Sequence, residues 1–234
     1  AYSRDWQLLN DLRLSEKDAN EKKTMNTHLH ILEAYTNLYR IWKDDHLAKQ
    51  LRNLINLFTE KIIDPKTNHL NLFFAENWEC KSNITSYGHD IESSWLLYEA
   101  ACVLGDEKLI AETAKISLKI TEASMEGLQP DGSIIYEKNT ITEHIDNERH
   151  WWPQAEAVVG FYNAFELTDD VDFLQKAVKS YEYIRAYLTD RENGEWFWSC
   201  NSDGTLNHTD DKAGFWKCPY HNGRMCLEII RRSC

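Results

Sequence analysis

Apolar positions recur along this chain with the spacing of helices rather than strands. Four stretches, "TMNTHLHILEAYTNLYR", "HDIESSWLLYEAACVLG", "WWPQAEAVVGFYNAFEL" and "PYHNGRMCLEIIRR", each open an apolar helix, with hydrophobic residues returning at i, i+3 and i+4. Behind each of the first three lies a second amphipathic segment with an acidic start: "DDHLAKQLRNLINLFTEKI", "DEKLIAETAKISLKITEAS" and "DDVDFLQKAVKSYEYIRAYL". Asp at the front of such a run signals a helix start, because its carboxylate meets unpaired amide groups and the positive end of the helix dipole. Each pair is followed by an aromatic, turn-rich stretch ("DPKTNHLNLFF", "DGSIIYE", "DRENGEWFWSCNSDG") that predicts short hairpins or irregular loops. No strand run has the length for a central sheet.

The helix pairs repeat. Glu33, Glu99 and Asn163 occupy matching places, 66 and 64 residues apart, and Glu228 takes the same place in a shortened last copy. Helix, turn, helix, loop at a fixed period is the mark of stacked helical hairpins that bury their faces only against neighbours. The first helix of each pair is apolar nearly all round and should line the inside, with the second outside. The pattern therefore predicts an all-α toroid of helical hairpins, a single domain over residues 1–234. Three and a half hairpins do not close such a ring, so an N-terminal portion or another chain is expected to complete it.

The same alignment points to chemistry. Seven residues before each matched Glu or Asn stand Asn26, Glu92, Glu156 and His221, all polar. Unpaired polar groups in a core cost about 1–3 kcal/mol each, so a shared cavity is the simpler account. His30 lies four residues after Asn26, on the same helical face one turn deeper, and His89 precedes Glu92 by three. Trp151, Trp152 and Trp216 are expected at the rim of this cavity, where flat indole faces suit a sugar ring.

These residues also have plainer readings. His89 or Asp90 has the position of a helix N-cap, and His30 that of a satisfied buried histidine. His221 could pair with Cys218 on zinc, although no second pair of ligands at suitable spacing accompanies them. Glu92 and Glu156 could be the acid and the nucleophile or base of a glycosidase. The preferred reading has no metal.

Composition narrows the partners. A formal charge of -12 and a pI near 5.2 argue against nucleic acid and anionic membranes, which are held by clustered Lys and Arg. No apolar run approaches the roughly 20 residues of a membrane helix, and the first residues lack a signal-peptide layout. A soluble, cytoplasmic protein is expected. The six cysteines form no CxxC pair and are expected to be reduced.

The segments "TMNTHLHILEAY", "SYGHDIESSWLLYEA", "HWWPQAEAVVGF", "GEWFW" and "GFWKCPYHNGRMCLEI" together closely resemble the cellobiose 2-epimerases of the N-acylglucosamine 2-epimerase superfamily, in order and over essentially the whole chain. The resemblance implies an (α/α)6 barrel of which this chain covers about the C-terminal seven helices. It implies a cofactor-independent inversion at C2 of the reducing-end sugar in a β-1,4-linked disaccharide of the cellobiose, mannobiose or lactose class. His89 and His221 would be the acid/base pair, and His30 and Asn26 would hold the oxygens of an enediolate. Glu92 would orient its neighbours or a sugar hydroxyl, Glu156 would help to bind substrate, and Trp152 and Trp216 would pack on the sugar. It also implies a monomer when full length, or a need for the N-terminal part of the barrel. The residue types suit the chemistry, since histidine exchanges protons near neutral pH and donors aimed at O1 and O2 stabilise developing charge. A sugar-binding half-barrel without catalysis is a third reading.

Overall fold

The computed structural model describes residues 3–7, 9–13 and 19–233; Cys234 lies outside them. Three similar units follow one another. In the first, β1 (Lys23–Thr24) runs into α1 (Met25–Ile41), then α2 (Asp45–Leu57) with a π-helical turn at Phe58–Ile62, then β2 (Phe73–Phe74). The second has β3 (Ile84–Ser86), α3 (Tyr87–Leu104), α4 (Glu107–Ser124), β4 (Glu137–Asn139) and β5 (Ile145–Asp146). The third has β6 (Arg149–His150), α5 (Trp151–Thr168), α6 (Val171–Tyr183) with a π-helical turn at Ile184–Leu188, and β7 (Ser199–Cys200). A further helix, α7 (His221–Ser233), opens a fourth unit.

The acidic starts do what their chemistry dictates. Asp44, Asp106 and Asp170 cap α2, α4 and α6, their side chains accepting from the amides of Leu47, Leu109 and Asp172. At the other end of α3, Gly105 takes the left-handed conformation at φ 75° that breaks the helix.

Strand pairing then sets the polarity of the molecule. The strands entering α1, α3 and α5 pair antiparallel with ones that follow α2, α4 and α6: β1 with β2, β3 with β4, β6 with β7. Each outer helix thus returns its following loop to the N-terminal end of an inner helix, and these loops gather at one mouth. Along the inside, α1 packs on α3, α3 on α5 and α5 on α7, while α2 covers α1 and α3, and α4 covers α3 and α5. The apolar helices α3 and α5 are buried over most of their length, whereas α2 buries a single stripe of Leu47, Leu51, Leu54 and Ile55. Gly160 lets α3 and α5 meet closely, since a Cβ there would lie 2.5 Å from Ile91. No helix among the described residues is long and apolar enough to cross a membrane.

Two expectations change. Helix α3 starts at Tyr87 with Ser86 as its cap, so neither His89 nor Asp90 caps it. Asp90 instead accepts from the Leu70 amide at 2.9 Å and pairs with His69 at 2.7 Å, tying the preceding loop to α3. The repeat alignment was also one turn out in its first copy. Caps Thr24, Ser86 and His150 stand at equivalent places, so the residue matching Glu92 and Glu156, the sixth of its helix, is His30 rather than Asn26. A slip of four keeps the same helical face, which is why the apolar pattern did not expose it. Side-chain partners agree: Glu99 and Glu228 share Arg231, and Glu228 and Asn163 share Arg232, whereas Glu33 turns to Arg224.

Candidate active site

Arg224, in the first turn of α7, draws the inner helices together at the mouth. Its Nη1 donates to Glu33 Oε1 of α1 at 2.6 Å, and its Nη2 to Glu92 Oε1 of α3 at 2.5 Å and Glu156 Oε1 of α5 at 2.7 Å. Glu92 and Glu156 are each 1% exposed. A planar guanidinium suits such a cluster because its fork of N–H groups reaches several carboxylates at once. Burial works against charge on Arg224, but Glu156, Glu92 and Glu33 outweigh it and hold its proton more firmly than usual. Burial likewise opposes charge on Glu33, yet His30, Arg224 and Tyr220 bring its pKa down to about 2. Against its own burial, Glu156 is also held below the usual carboxylate range by Arg224 and His221. Trp95 completes the Glu156 shell, donating from Nε1 to Oε2 at 3.0 Å.

Three histidines border this cluster in different company. His221 Nδ1 lies 2.8 Å from Glu156 Oε1 and 3.8 Å from Glu92 Oε1. An ionised carboxylate only accepts, so Nδ1 donates and Nε2 is the nitrogen that exchanges protons. His30 Nδ1 lies 3.5 Å from both Glu33 Oε2 and Tyr220 Oη, and the Tyr220 hydroxyl itself donates to Glu33. Burial would lower the His30 pKa, but the Glu33 bond and the Glu92 and Glu33 charges raise it. His89 has a hydroxyl for company, with Ser86 Oγ 2.8 Å from its Nδ1. Burial first, then the His30 and His221 charges, push its pKa down to about 3. It is therefore neutral near pH 7.

Trp152 joins His89 and His221, the pair that the family resemblance implies. Its ring lies 4.7 Å from that of His89 and 5.5 Å from that of His221. Gly88 makes the first of these contacts possible, because a Cβ there would come within 2.6 Å of the indole. Trp151 and Trp152 are 4% and 8% exposed, so they are wall and backing rather than rim; Trp151 packs on Trp198 at 4.5 Å. Trp216 is exposed, and its ring meets Phe215 rather than the histidines. Asn26 Oδ1 is buried without a hydrogen-bond partner. Cys218 is exposed, and the side chain on His221 is Glu156 instead. Glu92, Glu156 and His221 are spaced closely enough for a cation, but Arg224 already lies against both carboxylates.

Glu33, Tyr220, Arg224 and Ser86 were not anticipated. A signal existed: two buried carboxylates at one height call for a cation, and Arg224 stands one turn after Tyr220 in "YHNGR".

The chain matches the N-acylglucosamine 2-epimerase (GlcNAc 2-epimerase) profile over residues 4–223. It belongs to that family. Over 98% of its length it is 61% identical to a cellobiose 2-epimerase of Bacteroides fragilis, covering 59% of that protein. Its fold is similar to the solved cellobiose 2-epimerase of Bacillus thermoamylovorans B4167, with a TM-score of 0.89 and 44% identity, covering 99% of this chain and 59% of that one. A sugar epimerase from a ruminal bacterium superimposes with a TM-score of 0.94 at 39% identity, covering 100% of this chain and 60% of that one. The chain thus spans about three-fifths of the length of these relatives. As expected, the architecture is that of the (α/α)6 barrel epimerases.

For a member of the N-acylglucosamine 2-epimerase family, the site offers a neutral base, a carboxylate-backed imidazole and a histidine inclined to keep its proton. Hydrolytic chemistry fits less well. Glu92 and Glu156 share one Arg224 nitrogen, and Glu156, held ionised, has no proton to lend a leaving group.

Proposed function

We propose that this chain carries the proton-transfer site of a disaccharide 2-epimerase acting on cellobiose and related β-1,4-linked disaccharides. The observation that carries the reading is that His89 and His221, from helices far apart in sequence, rest on the one Trp152 indole. With the reducing-end sugar open as an aldehyde, neutral His89 takes the proton from C2. The electron pair of the broken C2–H bond then closes a C1=C2 double bond and leaves negative charge on O1, beside the O2 hydroxyl, where His30 donates to it. His221 returns a proton to the opposite face of C2 from Nε2, while Glu156 keeps its tautomer fixed. The reverse reaction exchanges the two roles. Asn26, with its unpartnered Oδ1, accepts from a sugar hydroxyl, Trp152 packs on the ring, Glu92 keeps Arg224 and His221 in register, and Trp216 closes over the sugar from its loop.

In this reading the chain is one domain, the C-terminal part of a barrel completed by further helices into a monomer. Apolar residues left exposed on the flanking inner helices support that: Ile31 and Ile41 on α1, Leu227 and Ile230 on α7. The five free cysteines among the described residues suit a reducing, cytoplasmic setting. The test is to incubate the full-length protein with cellobiose in D2O and read the products by NMR. Glucosyl-mannose carrying deuterium at C2 is expected. Epimerised product without solvent label would contradict the mechanism, and released monosaccharides would favour hydrolysis.

A further inference from the structure

The loop that delivers His221 to the site is held by a buried ammonium. Between residues 208 and 221, Lys217 is the single buried side chain, 1% exposed, flanked by exposed Trp216 and Cys218. Burying such a charge is costly unless every N–H finds an acceptor. Lys217 has three, and three acceptors surround it: Glu195 Oε1 at 3.1 Å, the Trp196 carbonyl at 2.7 Å and the Lys212 carbonyl at 2.7 Å. Its Nζ also lies 5.4 Å from the centre of the Trp151 ring, the residue behind His221.

The Glu195 carboxylate continues the chain of contacts. It accepts from Asn222 Nδ2 at 2.8 Å, and Asn222 directly follows His221 at the start of α7. Glu195 sits in a turn whose backbone is left-handed at Gly194 and Glu195, φ 76° and 64°, and that turn is anchored in its own right by Lys212 Nζ on Asp190 Oδ2 at 2.5 Å. An apolar residue at 217 would cover the same surface at less electrostatic cost. What the ammonium adds is direction, three bonds and one position for the loop.

We propose that Lys217 is a positioning residue which, through Glu195 and Asn222, fixes the loop so that Trp216 and His221 hold one relation across the bound sugar. The proposal rests on the epimerase reading for what is positioned. In the full-length protein, Lys217→Met should lower kcat by roughly 10- to 100-fold and raise KM for cellobiose. Asn222→Ala, which frees only the α7 end, should lower kcat with KM nearly kept. Lys217→Arg should recover part of the lost kcat. Amide hydrogen exchange across residues 212–222, which needs no turnover, should quicken in Lys217→Met.

Folded Lys217→Met with wild-type kcat and KM would overturn the proposal, as would unchanged exchange in that segment. Absence of C2 exchange in the wild-type protein would remove the epimerase reading, and the amide-exchange result would then decide for or against the Lys217 anchor. Should Lys217→Met not fold, Glu195→Gln carries the same test with the same readouts.

Discussion

His89 and His221 meet the same indole but live in opposite surroundings. On the α5–α7 side, His221 is bonded to an ionised carboxylate inside a cluster of three carboxylates and one arginine. On the α3 side, His89 has a serine hydroxyl and the repulsion of two other imidazoles. A carboxylate fixes a tautomer and shelters a positive ring, while a hydroxyl does neither strongly. The contrast teaches how a fold built from similar units makes two unlike groups from one residue type. The repeats set equal heights, and what stands there changes from His30 on α1 to Glu92 on α3 and Glu156 on α5.

The largest effects should come from removing either histidine. His89→Ala and His221→Ala are each expected to lower kcat by about 10²–10⁴-fold, with sugar affinity within about tenfold of wild type by calorimetry. Near-normal turnover in either would break the comparison. Arg224→Met should come next, because it leaves three carboxylates facing one another without their cation. A loss of about 3–5 kcal/mol in urea unfolding is expected, and an unchanged midpoint would show that Arg224 does not hold the cluster.

The depressed pKa of His89 gives a signed pH effect. Folded His89 resists protonation down to about 3, while the unfolded chain takes the proton near 6.5. The unfolded state therefore binds more protons in that window, and stability falls as pH drops from 6.5 towards 3. His30, with its raised pKa, works the other way, adding stability at low pH that is lost as pH rises through its folded value. His89→Gln should flatten the acid-side slope in urea unfolding between pH 7 and pH 5, and an identical slope would count against a neutral His89. Smaller still, Trp216→Ala should weaken cellobiose binding by about 0.5–1.5 kcal/mol. Unchanged affinity would take Trp216 out of the sugar contact.

Much of this was legible in the chain. Helix pairs, their Asp caps and a polar cavity shared by Glu92, Glu156, His89 and His221 follow from period and polarity, whereas His30 enters only by sharing a helical face with Asn26. Tertiary geometry supplied the rest. Glu33 was visible as a repeat marker, but a one-turn slip assigned it the level of Glu99, when it belongs with Arg224 and Tyr220. Trp151 reads like Trp152 in sequence, yet neighbouring helical positions face different ways, and it packs behind the site on Trp198. Lys217 reads as a surface lysine, since nothing local announces that Glu195 and two carbonyls will surround it.

The central claim is that two different histidines act on opposite faces of C2. Cellobiose deuterated at C2 of its reducing sugar, turned over once in ordinary water by the full-length protein, tests this most directly. The account predicts that the glucosyl-mannose formed carries solvent hydrogen at C2, because the base that removes deuterium is not the acid that delivers the proton. Retention of the substrate's own deuterium in that product would mean that a single group serves both faces, and would contradict it.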